Sequence, residues 1–128
     1  MISTVNIIKK STCPKVSPTA KGELTYHIGH DGKAKALLFR ITANPGRGFF
    51  SNEWIKLDDI VATIEEHSSE TFKAIIFTPL YVSRSANNHG FLAAALRAEG
   101  VLEPVTDKPL SHTLGNVKTF TAAMAKLV

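Results

Sequence analysis

The dipeptide Asp31-Gly32 separates two segments of alternating character, "ELTYHIGH" and "KAKALLFRIT". Asp-Gly suits a two-residue turn whose central residues both take positive φ, so an antiparallel hairpin is expected here. With that dipeptide at the tip, His30 faces Lys33, Ile28 faces Lys35, Tyr26 faces Leu37 and Leu24 faces Phe39. Glu23 then faces Arg40 as an opposite-charge cross-strand pair. Side chains alternate along a strand, so Leu24, Tyr26, Ile28, Leu37, Phe39 and Ile41 share one face. Glu23, Thr25, His27, Arg40 and Thr42 share the other, where Leu38 points to partial cover.

A hairpin with one apolar face needs something to cover it, and the rest of the chain supplies helices. Leu57, Ile60, Val61 and Ile64 stand at helical spacing, with Asp58 and Asp59 at the end favoured by the helix dipole. "ETFKAIIF" reads as a second helix capped by Ser68 or Ser69 and ended by Pro79. A buried strand over 72–77 is the competing reading, because so short an apolar run fits both periods. "RSANNHGFLAAALRAEG" reads as a helix between Ser85 as N-cap and Gly100 just past its end. "NVKTFTAAMAKLV" places Val117, Phe120, Met124 and Leu127 at helical spacing behind Asn116 as cap. Residues 1–22, rich in Ser, Thr, Pro and Lys and lacking acids, read as a flexible basic arm. In it Val5, Ile7 and Ile8 add at most a short edge strand, because Pro14 and Pro18 prevent a long one. The expected organisation is that arm followed by a single α+β domain over 23–128. Its hairpin or small antiparallel sheet packs against three to four helices.

Charge is uneven along the chain. Residues 1–56 hold nine Lys/Arg against three acids, whereas residues 57–128 hold six against eight. A basic half with a net charge of +6 is what a polyanion-facing surface requires, although ordinary solvation accounts for it equally well. The single cysteine, Cys13, excludes an internal disulfide framework and suits a reducing compartment. The N-terminal residues have the wrong order of charge and hydrophobicity for a signal peptide, and no run reaches membrane-spanning length. A cytoplasmic protein without membrane attachment is the expectation.

Two stretches carry residue types suited to nucleic acid. Arg84, Asn87 and Asn88 stand at the entrance of the alanine-rich helix, where a recognition helix places its phosphate and base contacts. The same amides also serve as ordinary helix starters. "NPGRGFF" holds Arg47 between two glycines with Phe49, Phe50 and Trp54 nearby, a combination suited to phosphates and unstacked bases. The alternative has Phe49 and Phe50 anchored in the core and Trp54 beneath the helix at Leu57. A winged-helix arrangement would need the strands of its wing from "VLEPVTDKPLS" and "HTLGNVKTFT". The helical spacing of Val117 to Leu127 and the scarcity of cations (Lys108 and Lys118) oppose it.

Catalytic readings have little to stand on. On the hairpin His27 and His30 point to opposite faces and Asp31 is used by the turn. His67, His89 and His112 are scattered, and Cys13 lacks a histidine partner in any recognisable motif. No nucleophile, cofactor fingerprint or metal cage emerges, so the expectation is a non-enzymatic protein with no cofactor and no metal.

The reading is therefore a small nucleic-acid-binding protein, DNA first among its partners, or a regulatory protein. Arg40, Arg47 and Arg84 are the fixed phosphate contacts, Lys9, Lys10 and Lys15 add mobile charge, and Asn87 and Asn88 read bases. The alternative is a protein-interaction module or homodimer built on the small-residue face Ala86, Gly90, Ala93 and Arg97.

Overall fold

The computed structural model describes residues 4–46, 48–67 and 70–128. Two antiparallel sheets and four helical segments make a mixed α+β architecture. Sheet A runs in the order β1 (Val5–Pro14), β2 (Glu23–Asp31), β3 (Ala36–Ala43) and β4 (Ile55–Lys56). Helix α1 (Leu57–Glu66) follows, then the short strand β5 (Phe72–Lys73), a 3-10 helix (Ala74–Leu80) and helix α2 (Asn88–Ala98). Strands β6 (Leu102–Val105) and β7 (Lys108–Leu114) complete sheet B, with β7 between β5 and β6, and helix α3 (Val117–Ala125) closes the chain.

The hairpin forms, but in a different register. Ile28 faces Phe39, Tyr26 faces Ile41 and His27 faces Arg40, so from Tyr26 to Asp31 each β3 partner lies four positions beyond the expected one. The cause is at the turn. Asp31 Oδ1 accepts hydrogen bonds from the amides of Lys33 (3.0 Å) and Ala34 (3.3 Å), which widens the connection to residues 32–35. Lys35, not Gly32, takes the positive φ of 54°. The expected Glu23–Arg40 pair does not exist, and Glu23 lies opposite Pro14. A shift of four is even, so the apolar set keeps its face. Leu24, Tyr26, Ile28, Phe39 and Ile41 are buried beneath the helices, and Phe39 stacks on Phe120 with ring centroids 5.4 Å apart.

The N-terminal segment is not a flexible arm over Val5–Pro14. It is an edge strand pairing with β2 from Asp31 to Glu23. Its composition misleads because a strand needs its partner to become buried, and that partner is β2. A β-bulge between Ile7 and Lys9 interrupts the alternation. Val5 and Ile7 face away from the core, Ile8 packs against it, and beyond the bulge Lys9, Ser11 and Cys13 face inward. Lys10 and Thr12 then lie on the outer face.

The helices follow their expected stripes. Leu57, Ile60 and Ile64 of α1 and Phe120 and Met124 of α3 are buried. Asn116 Oδ1 accepts the amide of Thr119 at 2.9 Å, as an N-cap should. Gly100, with φ of 77°, ends α2 in a Schellman arrangement: Val101 N–H donates to Leu96 O and Gly100 N–H to Arg97 O. Over "ETFKAIIF" the chain forms neither expected element at full length, only β5 and the 3-10 helix. The caps assigned to Ser68 and Ser69 lie outside the described residues. β6 and β7 do form the hairpin that a wing would require. It coexists with α3 because the strand ends at Leu114, before the helical residues begin.

Candidate functional site

The entrance of α2 is structural. Asn88 is 3% exposed; its Oδ1 accepts the Ser51 amide at 2.7 Å and its Nδ2 donates to Ser83 O at 3.2 Å. Asn87 Nδ2 donates to Phe49 O at 2.9 Å. Ser85 is not the N-cap; its hydroxyl also donates to Phe49 O, and the helix begins at Asn88. Glu53, which the sequence did not single out, accepts the amides of Val82 (2.9 Å) and Ser83 (3.1 Å). Burial pushes its carboxyl up, but the Ser51 hydroxyl and those two amides outweigh this and hold it below its ordinary range. These bonds clamp the loop 49–53 onto the turn 82–88. Asn88 is therefore unavailable for base readout, and every residue from Asn88 to Arg97 is buried or half-buried. A helix covered all round cannot enter a groove. Arg84 and Ala86 are exposed on the turn before it.

Arg97 and Ala93 also turn inward. Ala93 is 0% exposed and belongs to this chain's own core, whereas Ala86 is exposed and Gly90 borders open space, so the four residues do not form one external face. Arg97 donates from Nη2 to the carbonyls of Pro109 and Ser111, both at 2.9 Å, and from Nε to His112 Nδ1 at 2.9 Å.

Two surface regions bring cations together with aromatic and polar side chains. The first is the outer face of sheet A. Lys10, His27 and Arg40 are direct partners across three strands and form one row. Arg40 lies over the Trp54 ring, 4.2 Å from its centroid, and donates to His27 Nδ1 from Nε (3.4 Å) and Nη2 (3.2 Å). Trp54 is not beneath α1. It lies over Gly29, where an added Cβ would come within 2.8 Å of the indole. Burial, then Arg40 and Lys10, lower the His27 pKa, so the ring accepts as a neutral imidazole. Lys56 stands opposite Leu38 in the neighbouring row. Thr12 and Thr25 continue the face beyond His27. Among the described strand residues of sheet A, the carboxylates are Glu23 and Asp31 at the two ends of β2, and Asp31 accepts a bond from Thr4 at 2.8 Å.

Lys9 does not belong to this face. Its Nζ lies 2.9 Å from Glu99 Oε2, and Tyr26 donates its hydroxyl to the same carboxylate. Cys13 is buried beside them; burial first, then Glu23 and Glu99, push its thiol up to about 11. It is consequently a poor nucleophile.

The second place is a cleft of about 470 Å³ between the connection after β1, the loop at 44–48, the start of α2 and strand β7. Lys15, Lys73, Ile75, Gly90, Phe91 and His112 are among its lining residues, and none of the lining residues is a carboxylate. His112 is 0% exposed. Burial, with the Arg97 guanidinium beside it, lowers its pKa to about 4. Phe50 packs near Phe91, centroids 6.2 Å apart, whereas Phe49 is 86% exposed rather than anchored in the core. Arg47 lies outside the described residues. Among the described residues, no helix is long and apolar enough to cross a membrane, and no three His, Cys, Asp or Glu side chains group as metal ligands. Compared with known proteins, the chain finds no matching family model, no matching curated protein and no matching solved structure.

Proposed function

We propose that this protein is a non-enzymatic nucleic-acid-binding protein that grips single strands on the outer face of sheet A. One observation carries the reading: the row Lys10–His27–Arg40, with the Arg40 guanidinium 4.2 Å from the centroid of the Trp54 ring. A flat strand surface with cations and a planar aromatic platform matches what a flexible phosphate backbone and unstacked bases need. Lys10 and Lys56 supply phosphate contacts, Arg40 and Trp54 the stacking surface, and the threonines further hydrogen bonds. Arg84 remains a peripheral contact, while Asn87 and Asn88 are reassigned to holding the loop. Duplex reading by α2 is dropped from the proposal, because the helix is enclosed.

Fluorescence anisotropy of labelled oligothymidylate and of a duplex, titrated at low and moderate salt, tests this. Tighter binding of the single strand, falling steeply with salt, is the expected result. Trp54→Ala should cost about 1–3 kcal/mol of binding, the usual worth of one aromatic–base stack. Salt-insensitive binding, or affinity unchanged in Trp54→Ala and in Arg40→Gln, would exclude this face.

A further inference from the structure

We propose that the cleft beside α2 is a second site, independent of the sheet face, that binds a small apolar carboxylate through a hydrogen bond from His112. Arg97 Nε can only donate, so its 2.9 Å bond leaves His112 Nδ1 as the acceptor and places the ring proton on Nε2. That Nε2 is buried and, among the described residues, has no hydrogen-bond partner. An unmatched buried donor is a standing cost, and natural structures rarely keep one without a use. His112 is among the residues around the cleft but is 0% exposed, so an oxygen acceptor that enters the cleft and displaces its wall toward the ring would complete the bond.

The surroundings narrow the chemistry of that acceptor. Val16, Ala74, Ile75, Phe91 and Leu110 make the walls apolar, Lys15 and Lys73 bring two positive charges, and no carboxylate lines the space. The volume falls within the roughly 300–1,000 Å³ of ordinary small-molecule sites. A phosphate would need several donors for its oxygens; one buried donor flanked by lysines fits a carboxylate on an apolar body.

Gly90 provides an independent reason to regard the cleft as kept open. A glycine inside a helix costs about 1 kcal/mol relative to alanine. Here no neighbour requires it, since an added Cβ would meet nothing within 4 Å. The missing side chain leaves the cleft clear.

The test is calorimetric titration with naphthalene-2-carboxylate and decanoate, alongside the neutral naphthalene-2-methanol. Wild-type protein is expected to bind the acids saturably and the alcohol at least about tenfold more weakly, as a charge-assisted bond implies. Gly90→Leu should fill the cleft and abolish binding while the protein stays folded by circular dichroism and keeps its oligothymidylate affinity. His112→Phe should weaken the acids, and the wild-type His112 Nε2 proton resonance should shift on binding. No saturation by either acid in the millimolar range, or equal binding by Gly90→Leu, would overturn the proposal. Loss of oligothymidylate binding alone would strike the sheet face and leave the cleft standing.

Discussion

Across the same strands, sheet A shows solvent one chemistry and the core another. Its inner face buries Leu24, Tyr26, Ile28, Phe39 and Ile41, with Phe39 stacked on Phe120. Its outer face carries Lys10, His27 and Arg40, half covered by Trp54. Neighbours in sequence therefore have opposite work: Phe39 and Arg40 are adjacent, yet one holds helices and the other presents charge. At Leu24, Ile28, Phe39 and Ile41 a polar side chain would be buried without a partner at a cost in stability. The outer face can exchange its side chains without loss of fold, which is the freedom a binding surface needs.

That adjacent pair should respond to truncation in different ways. Phe39→Ala should cost about 3–5 kcal/mol in urea unfolding, as loss of a buried aromatic does. Arg40→Ala should change stability by about 1 kcal/mol or less and act instead on oligonucleotide affinity. Equal destabilisation by the two would mean that the outer face is structural.

Next in size is an acid effect located away from either face of sheet A. His112 is held neutral in the folded chain, with its pKa down at about 4 against 6.5 unfolded. The unfolded chain binds more protons between those values, so stability rises with pH across that window and is lost as pH falls through it. The loss should approach about 3 kcal/mol at pH 4. Urea midpoints at pH 7 and pH 4.5, compared with those of His112→Phe, would read it; an undiminished slope in the variant would assign the effect elsewhere.

The smallest prediction separates two adjacent lysines. Lys9→Ala strands the Glu99 carboxylate, whose side chain is only 5% exposed, and should cost about 2 kcal/mol of stability. Lys10→Ala should cost about 0.5 kcal/mol or less and weaken oligonucleotide binding, with a shallower salt dependence. Reversed outcomes would reverse the orientation of β1.

Local signals were readable wherever they rest on a single backbone event. The Asn116 cap, the Gly100 exit and the α1 stripe all appear where their residue types call for them. The hairpin was readable in kind and in facing, but not in register, because two carboxylate–amide bonds at Asp31 outweigh the preference of Asp-Gly for a two-residue turn. Asn87 and Asn88 misled for a different reason. The same amide that reads a base also satisfies backbone groups, and which it does depends on a loop some 37 residues away in sequence. The outer-face site was half visible: Lys10 and Arg40 stood out as cations, but their meeting with His27 and Trp54 depends on strand pairing. His112 could not be found from sequence, since its orphaned nitrogen has meaning only once Arg97 occupies the other one.

The bulge after Ile7 makes β1 two half-strands spliced out of phase. Of two chemically identical neighbours, Lys9 is committed to internal neutralisation and Lys10 to the exterior, and a single residue of backbone makes that choice. Such a strand forgives exchange of one side chain for another far better than a change in its length. Deleting Ser11 while Thr12 and Cys13 keep their partners would bring Lys10 opposite Tyr26 and Lys9 opposite His27, exchanging their facings. The electrostatic identity of this edge is thus written in residue count as much as in residue type.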